Sequence, residues 1–159
     1  MTTRIIICAI ILVSSCLGEN APSSGKSAAP PASQQMSRTC MGCICEAASG
    51  CDMSSGCSGD VCGPFRITLA YWLDSGKPTL NEESTSAPGA WTRCVNDPFC
   101  GAKAVQGYMN QYAQDCNSDG VINCDDFVRI HRFGGYGCSG QLDPKYESKY
   151  ITCIKKFGY

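Results

Sequence analysis

Histidine is almost missing from this chain, and a complete zinc-binding motif is missing altogether. His131 is the single histidine in 159 residues, and Cys40-Met41-Gly42-Cys43 has zinc-ligand spacing without a second CxxC or a histidine pair to complete a site. Runs of Lys and Arg are also absent, which removes the electrostatic footprint of a nucleic-acid binder. The formal net charge is only −1, so no long-range field draws the protein to a negatively charged bacterial surface. The apolar run from Ile5 to Val13 is about half the length a bilayer crossing needs, and no second run of spanning length follows. No internal repeat is evident.

That short run follows one positive charge, Arg4, and precedes small residues ending at Cys16-Leu17-Gly18. Residues 1–18 therefore read as a secretory signal peptide, and the mature protein as secreted and extracellular, with no membrane partner. Removing Arg4 takes one of 13 basic residues against 14 acidic ones, moving the net charge from −1 to −2. Residues 19–38 contain Pro, Ser and Ala with almost no large apolar side chain, which predicts a flexible low-complexity leader. One domain remains, residues 39–159. Of the 14 cysteines, Cys8 and Cys16 leave with the signal. The rest are even in number, which in an exported chain of this size is a disulfide framework supplementing a modest core.

The first third of the domain, Thr39 to Cys62, predicts a short helix and then tight loops. Phe65 to Leu73 reads as a buried helix or strand, with periodicity leaving both open. Lys77 to Gly89 is a polar, proline-bounded loop. Asp97-Pro98 starts a helix whose apolar positions, Phe99, Ala102, Val105, Tyr108, Met109 and Tyr112, share one face. Another helix runs from about Asp126 to Phe133, closed by Gly134-Gly135. A last one starts at Asp143-Pro144 and aligns Tyr146, Tyr150, Cys153, Ile154 and Phe157. The aromatic stripes read as core. The fold class is α+β, mostly helical and disulfide-rich.

The segment Asp115 to Asp126 fits a twelve-residue EF-hand calcium loop. Asp115, Asn117 and Asp119 supply oxygens at the first, third and fifth positions, and Gly120 stands at the sharp turn. Val121 offers its carbonyl, Asn123 acts directly or through water, and Asp126 closes the loop in place of the usual Glu. Two readings stay open: a structural calcium ion, or an acidic loop shaped by a disulfide at Cys116 or Cys124. No other cofactor is required.

The segment Cys40-Met41-Gly42-Cys43-Ile44-Cys45-Glu46-Ala47-Ala48-Ser49-Gly50-Cys51 resembles the opening of the invertebrate-type (i-type) lysozymes, a family that includes the destabilases. The resemblance continues through Cys57-Ser58-Gly59-Asp60, Cys62-Gly63-Pro64-Phe65-Arg66-Ile67 and Tyr71-Trp72-Leu73-Asp74. It resumes at Cys94 to Cys100, Val105 to Met109, Phe127 to His131 and Gly135 to Cys138. It implies a lysozyme-like fold with a glycan cleft between a helical part and a small sheet. It also implies local bridges Cys45–Cys51, Cys57–Cys62 and Cys94–Cys100, with Cys40, Cys43, Cys116, Cys124, Cys138 and Cys153 unassigned among themselves. Two family cysteines stand here as Ser75 and Ala104, which looks like the loss of one whole bridge.

Glycoside hydrolysis needs a protonated carboxyl group and an ionised one across the scissile bond. By the resemblance the acid is a Glu at the position of Ala48, and it is missing, whereas the second carboxylate is present as Asp60. Glu46 is a poor substitute, since two residues on a helix is about 200° around the axis. A destabilase-like isopeptidase fares no better, because the stretch that would contain its Ser is only Val61 and its Lys position is Thr68. Asp60, Trp72 and His131 are the expected glycan contacts, with His131 open as catalytic base or structural imidazole. A replacement acid would have to come from elsewhere in the fold, for example Glu82 or Glu83, which read more simply as solvent-exposed loop charges. The expected target is bacterial peptidoglycan, with β-1,4-linked MurNAc and GlcNAc, or a chito-oligosaccharide. Three functions stand: a muramidase in antibacterial defence or digestion, a glycan-binding or immune-modulating protein without hydrolysis, and a calcium-stiffened structural module.

Overall fold

The computed structural model describes residues 35–157; the expected signal peptide and residues 19–34 of the expected leader lie outside them. The domain starts earlier than its sequence suggested. Met36 is buried, the Ser37 hydroxyl accepts the Cys40 amide at 3.1 Å, and helix α1 runs Arg38–Ser49. A Ser cap satisfies one of the open amides of a helix start, and the buried Met36 fixes the approach of the chain. Gly50, left-handed at φ 75°, ends α1.

Three two-residue strands follow, β1 (Cys57–Ser58), β2 (Val61–Cys62) and β3 (Ile67–Thr68), paired antiparallel in that order. The undecided stretch from Phe65 to Leu73 divides between strand and helix. Thr68 leaves β3 and caps α2 (Leu69–Asp74) by accepting the Tyr71 amide at 3.2 Å. The polar loop then gives way to α3 (Ala90–Asn96), a helix without a side-chain cap that the sequence did not announce. Asp97 accepts the Phe99 and Cys100 amides and starts α4 (Pro98–Tyr112), with proline in the first turn. Helices α5 (Cys124–Phe133) and α6 (Pro144–Phe157) follow.

Two expected core residues are outside it. Phe99 is 79% exposed, because six residues place it about 240° around the axis from Val105. The inward face of α4 is instead Cys100, Gly101, Ala104, Val105, Tyr108 and Met109. Phe157 is 62% exposed, in the last turn of α6 where it lines a groove beside Arg38. Where α4 crosses the end of α2 the backbones nearly touch: a Cβ on Gly107 would lie 2.1 Å from the Ser75 carbonyl oxygen. Ser75 and Ala104 are both buried, and small side chains there permit that approach.

Six disulfides hold these elements together. The local bridges Cys45–Cys51, Cys57–Cys62 and Cys94–Cys100 form as the resemblance implied. The others are Cys40–Cys124, tying α1 to α5, Cys43–Cys153, tying α1 to α6, and Cys116–Cys138. The first two close 84 and 110 residues, for which chain entropy predicts about 4–5 kcal/mol each. They converge on α1, whose Cys40, Cys43 and Ile44 have no exposed surface. The first half of α1 is thereby clamped to α5 and α6, while the Cys45–Cys51 bridge and the Ser49 hydroxyl, which donates to the Pro64 carbonyl, fix its end.

Candidate functional site

A cleft of about 470 Å³ opens where the end of α1 faces the sheet and helices α2, α4, α5 and α6. Ala48 comes from α1, Val61 and Thr68 from the sheet, Tyr71 and Asp74 from α2, Tyr108 from α4, and His131 and Arg132 from α5. Glu46 lines a different groove, of about 740 Å³, between α1 and α6 with Lys149 and Lys156. The two positions thus face opposite ways, as helical geometry requires. No carboxylate stands at the Ala48 position, and Glu46 has no route to it on a rigid helix.

Asp60 is exposed in the turn between β1 and β2 and is not among the cleft-lining residues, although its neighbour Val61 is. The carboxylate that does line the cleft is Asp74, which accepts the Tyr112 hydroxyl at 3.2 Å. Neither loop glutamate enters: Glu82 is exposed, and Glu83 pairs with Arg93. Thr68, at the isopeptidase lysine position, uses its hydroxyl oxygen as the α2 cap.

Trp72 corrects the expectation of a glycan contact. It is 2% exposed and its indole N–H donates to the Pro78 carbonyl at 2.8 Å, so it is core. The rotation of about 100° between successive residues of α2 turns Tyr71 toward the cleft and Trp72 inward.

His131 lines the cleft, but both ring nitrogens are engaged. Nε2–H donates to the Phe65 carbonyl at 2.9 Å, and Nδ1 accepts the Tyr71 hydroxyl at 3.1 Å. A carbonyl only accepts, which fixes the proton on Nε2. Burial lowers the pKa to about 4, opposed by the bond to Phe65 and assisted by the Arg132 charge. The ring is neutral at physiological pH and positions the Phe65 turn against α2. Its unfolded pKa, about 6.5, lies above the folded one. The unfolded state therefore binds the extra proton first, and stability is lost as pH falls from 6.5 to 4. The loss is at most about 3 kcal/mol. His131→Gln, which keeps a donor and an acceptor, is expected to flatten that part of the stability curve in urea melts at pH 7 and pH 4.5. An unchanged slope would assign the pH dependence to other groups.

Arg132 pairs with Asp143 at 2.9 Å and lies 5.3 Å from the Tyr146 ring centroid. Arg66, in a left-handed turn at φ 57°, also lines the cleft; its amide donates to the Gly63 carbonyl at 3.0 Å, while its guanidinium makes no hydrogen bond or ion pair among the described residues.

The acidic loop is bonded to itself. Asp115 accepts the amides of Asp119 and Gly120, Asn117 accepts that of Asp119, and Asp119 accepts that of Val121. Asn123 caps α5 by accepting the Asp125 amide at 2.7 Å. Asp126, expected to close a calcium loop, has no exposed surface. It accepts the amides of Cys116 and Asn123 at 2.8 Å each, and that of Asn117 at 3.4 Å. Among the described residues no three His, Cys, Asp or Glu side chains stand close enough to hold a metal ion. In this conformation the twelfth-position carboxylate is turned onto backbone amides, so the oxygens do not present a calcium cage.

A cleft between helices and a small sheet, in a disulfide-clamped domain, is a lysozyme-like architecture. Residues 37–153 match the Destabilase family, and the chain belongs to it. It is 39% identical over 112 residues to invertebrate-type lysozyme 3 of Caenorhabditis elegans, covering 67% of this chain and 79% of that one. It is 36% identical over 115 residues to the invertebrate-type lysozyme of Ruditapes philippinarum, covering 70% and 76%. Among solved structures it resembles Meretrix lusoria lysozyme in complex with Aeromonas hydrophila PliI, with a TM-score of 0.59, 32% identity, and coverage of 77% and 93%. The Tapes japonica lysozyme superposes with a TM-score of 0.55 at 32% identity, covering 78% and 93%.

Proposed function

We propose that this protein is a secreted, peptidoglycan-directed glycan binder that retains the family cleft and has lost the family's hydrolysis. The observation that carries the reading is the orientation of α1: Ala48 lines the cleft while Glu46 lines the groove behind it. Without a proton donor the leaving oxygen departs as an alkoxide, and loss of that step lowers the rate about 10²–10⁴-fold. His131 does not replace the donor, being neutral and bonded through both nitrogens. Arg66 adds a cation suited to the carboxylates that peptidoglycan has and neutral chitin lacks. The cleft, with its tyrosines and Asp74, remains able to bind sugar hydroxyls. The biological setting that follows is defence against, or handling of, bacteria outside the cell.

The test uses purified peptidoglycan and the refolded mature protein. Co-sedimentation with the insoluble polymer, without release of soluble muropeptides above background, is the expected result. Release by the parent protein would mean that another group donates the proton. Absence of co-sedimentation would leave the secreted structural module as the better reading.

A further inference from the structure

The cleft does not end at Asp74 and Tyr108. The Asp74 carboxylate, which accepts the Tyr112 hydroxyl, and the Tyr108 ring, which packs on that of Tyr112, lead into a second, shallower depression of about 440 Å³ that contains Tyr112, Gly135 and Tyr136. Tyr71 and Tyr108 stack with centroids 3.7 Å apart, Tyr108 and Tyr112 follow at 4.5 Å, and Tyr112 meets Tyr136 edge-on at 5.5 Å. Tyr136 is 95% exposed, an unusual position for a large aromatic side chain that contributes nothing to the core.

The loop that displays it is tied down at several points. The Gly135 amide donates to the Tyr108 hydroxyl at 3.2 Å, the Gln114 side-chain amide donates to the Gly135 carbonyl, and Cys138 is bridged to Cys116. Gly135 lies flat on the Tyr112 ring, where a Cβ would come within 2.2 Å. An exposed tyrosine on a backbone held this firmly has only two side-chain torsions to order when a ligand covers it, which is how tyrosines become binding anchors.

We propose that Tyr112 and Tyr136 form an outlying sugar platform, on which the glycan strand seated in the cleft continues. The C–H face of a β-1,4-linked N-acetylglucosamine ring would cover Tyr136, and its polar rim would meet Gln114 and the tyrosine hydroxyls. This inference rests on the glycan-binding reading of the cleft and deepens it. The cleft reading requires only short oligosaccharides to bind, whereas the platform adds affinity for long ones alone.

Titration calorimetry with chitotriose and chitohexaose separates the two. The parent is expected to bind the longer sugar more tightly. Tyr136→Ala is expected to weaken chitohexaose binding about tenfold while leaving chitotriose unchanged. Tyr136→Phe, which keeps the ring, should stay near the parent. If Tyr136→Ala weakens neither sugar, or both equally, the platform is overturned while the cleft reading stands. If the parent binds neither sugar, the platform falls as a site for N-acetylglucosamine, and the peptidoglycan co-sedimentation above decides whether the cleft reading falls with it.

Discussion

Ala48→Glu is expected to raise muropeptide release from peptidoglycan by about 10²–10⁴-fold over the parent, the contribution of one positioned general acid. That is about 3–5 kcal/mol of barrier. The position suits a proton donor. It is the penultimate residue of α1, where the negative end of the helix dipole favours the protonated carboxyl, as do the neighbouring aromatic walls. Arg66 and Arg132 line the same cleft and pull the other way; the alkaline limb of the pH–rate profile reads the balance. Two controls keep the result interpretable. Ala48→Gln fills the same volume without a proton and should stay inactive. Asp60→Asn in the Ala48→Glu background should return release to background if the exposed turn carboxylate supplies the second charge. An inactive Ala48→Glu protein that still binds glycan would show that the cleft has lost more than its acid.

What the sequence disclosed, and what it withheld, follows from the range of the forces involved. Helix starts set by local side-chain chemistry were legible: Asp97-Pro98 and Asp143-Pro144 each begin a helix. The opposite facing of Ala48 and Glu46 needed only the helical repeat. Three local bridges came from the resemblance, while the long-range pairings of Cys40 and Cys43 are products of tertiary packing. The short helix α3 has no side-chain cap and was invisible. Trp72 and Tyr71 are adjacent in sequence, and only the docking of α2 on α4 decides which faces the cleft. Tyr108 looked like core and is buried, yet its hydroxyl and ring edge also belong to the cleft. Neither hydrophobicity nor spacing marks a side chain that serves both. Tyr136 gave no sequence signal because its exposure is set by a loop held from two distant segments.

Asp126→Ala is expected to cost about 3–5 kcal/mol, the largest stability loss we expect from a single polar side chain here. The carboxylate has no exposed surface and accepts three backbone amides. The Cys116 and Asn123 bonds, both 2.8 Å, are charge-assisted and account for most of the loss. The Asn117 bond is longer, at 3.4 Å, and Asn117 is exposed, so its amide recovers water and adds little. The Asn123 bond is also half of the capping box that starts α5. The chain cannot simply relax around the vacancy, because Cys116 and Cys124 are each bridged elsewhere. In a domain of this size the melting temperature should fall by roughly 10–25 °C, read by near-ultraviolet circular dichroism. Asp126→Asn keeps one acceptor but turns an amide donor toward a backbone donor, so it should fall between parent and Ala. A loss below about 1 kcal/mol would mean that water satisfies the loop and the buried carboxylate is dispensable. Calcium titrated against the same melts tests the other role of this loop. A rise in the parent midpoint that disappears in Asp119→Ala, whose cap is intact, would add an ion to the network. A flat response would leave these carboxylates to the backbone alone.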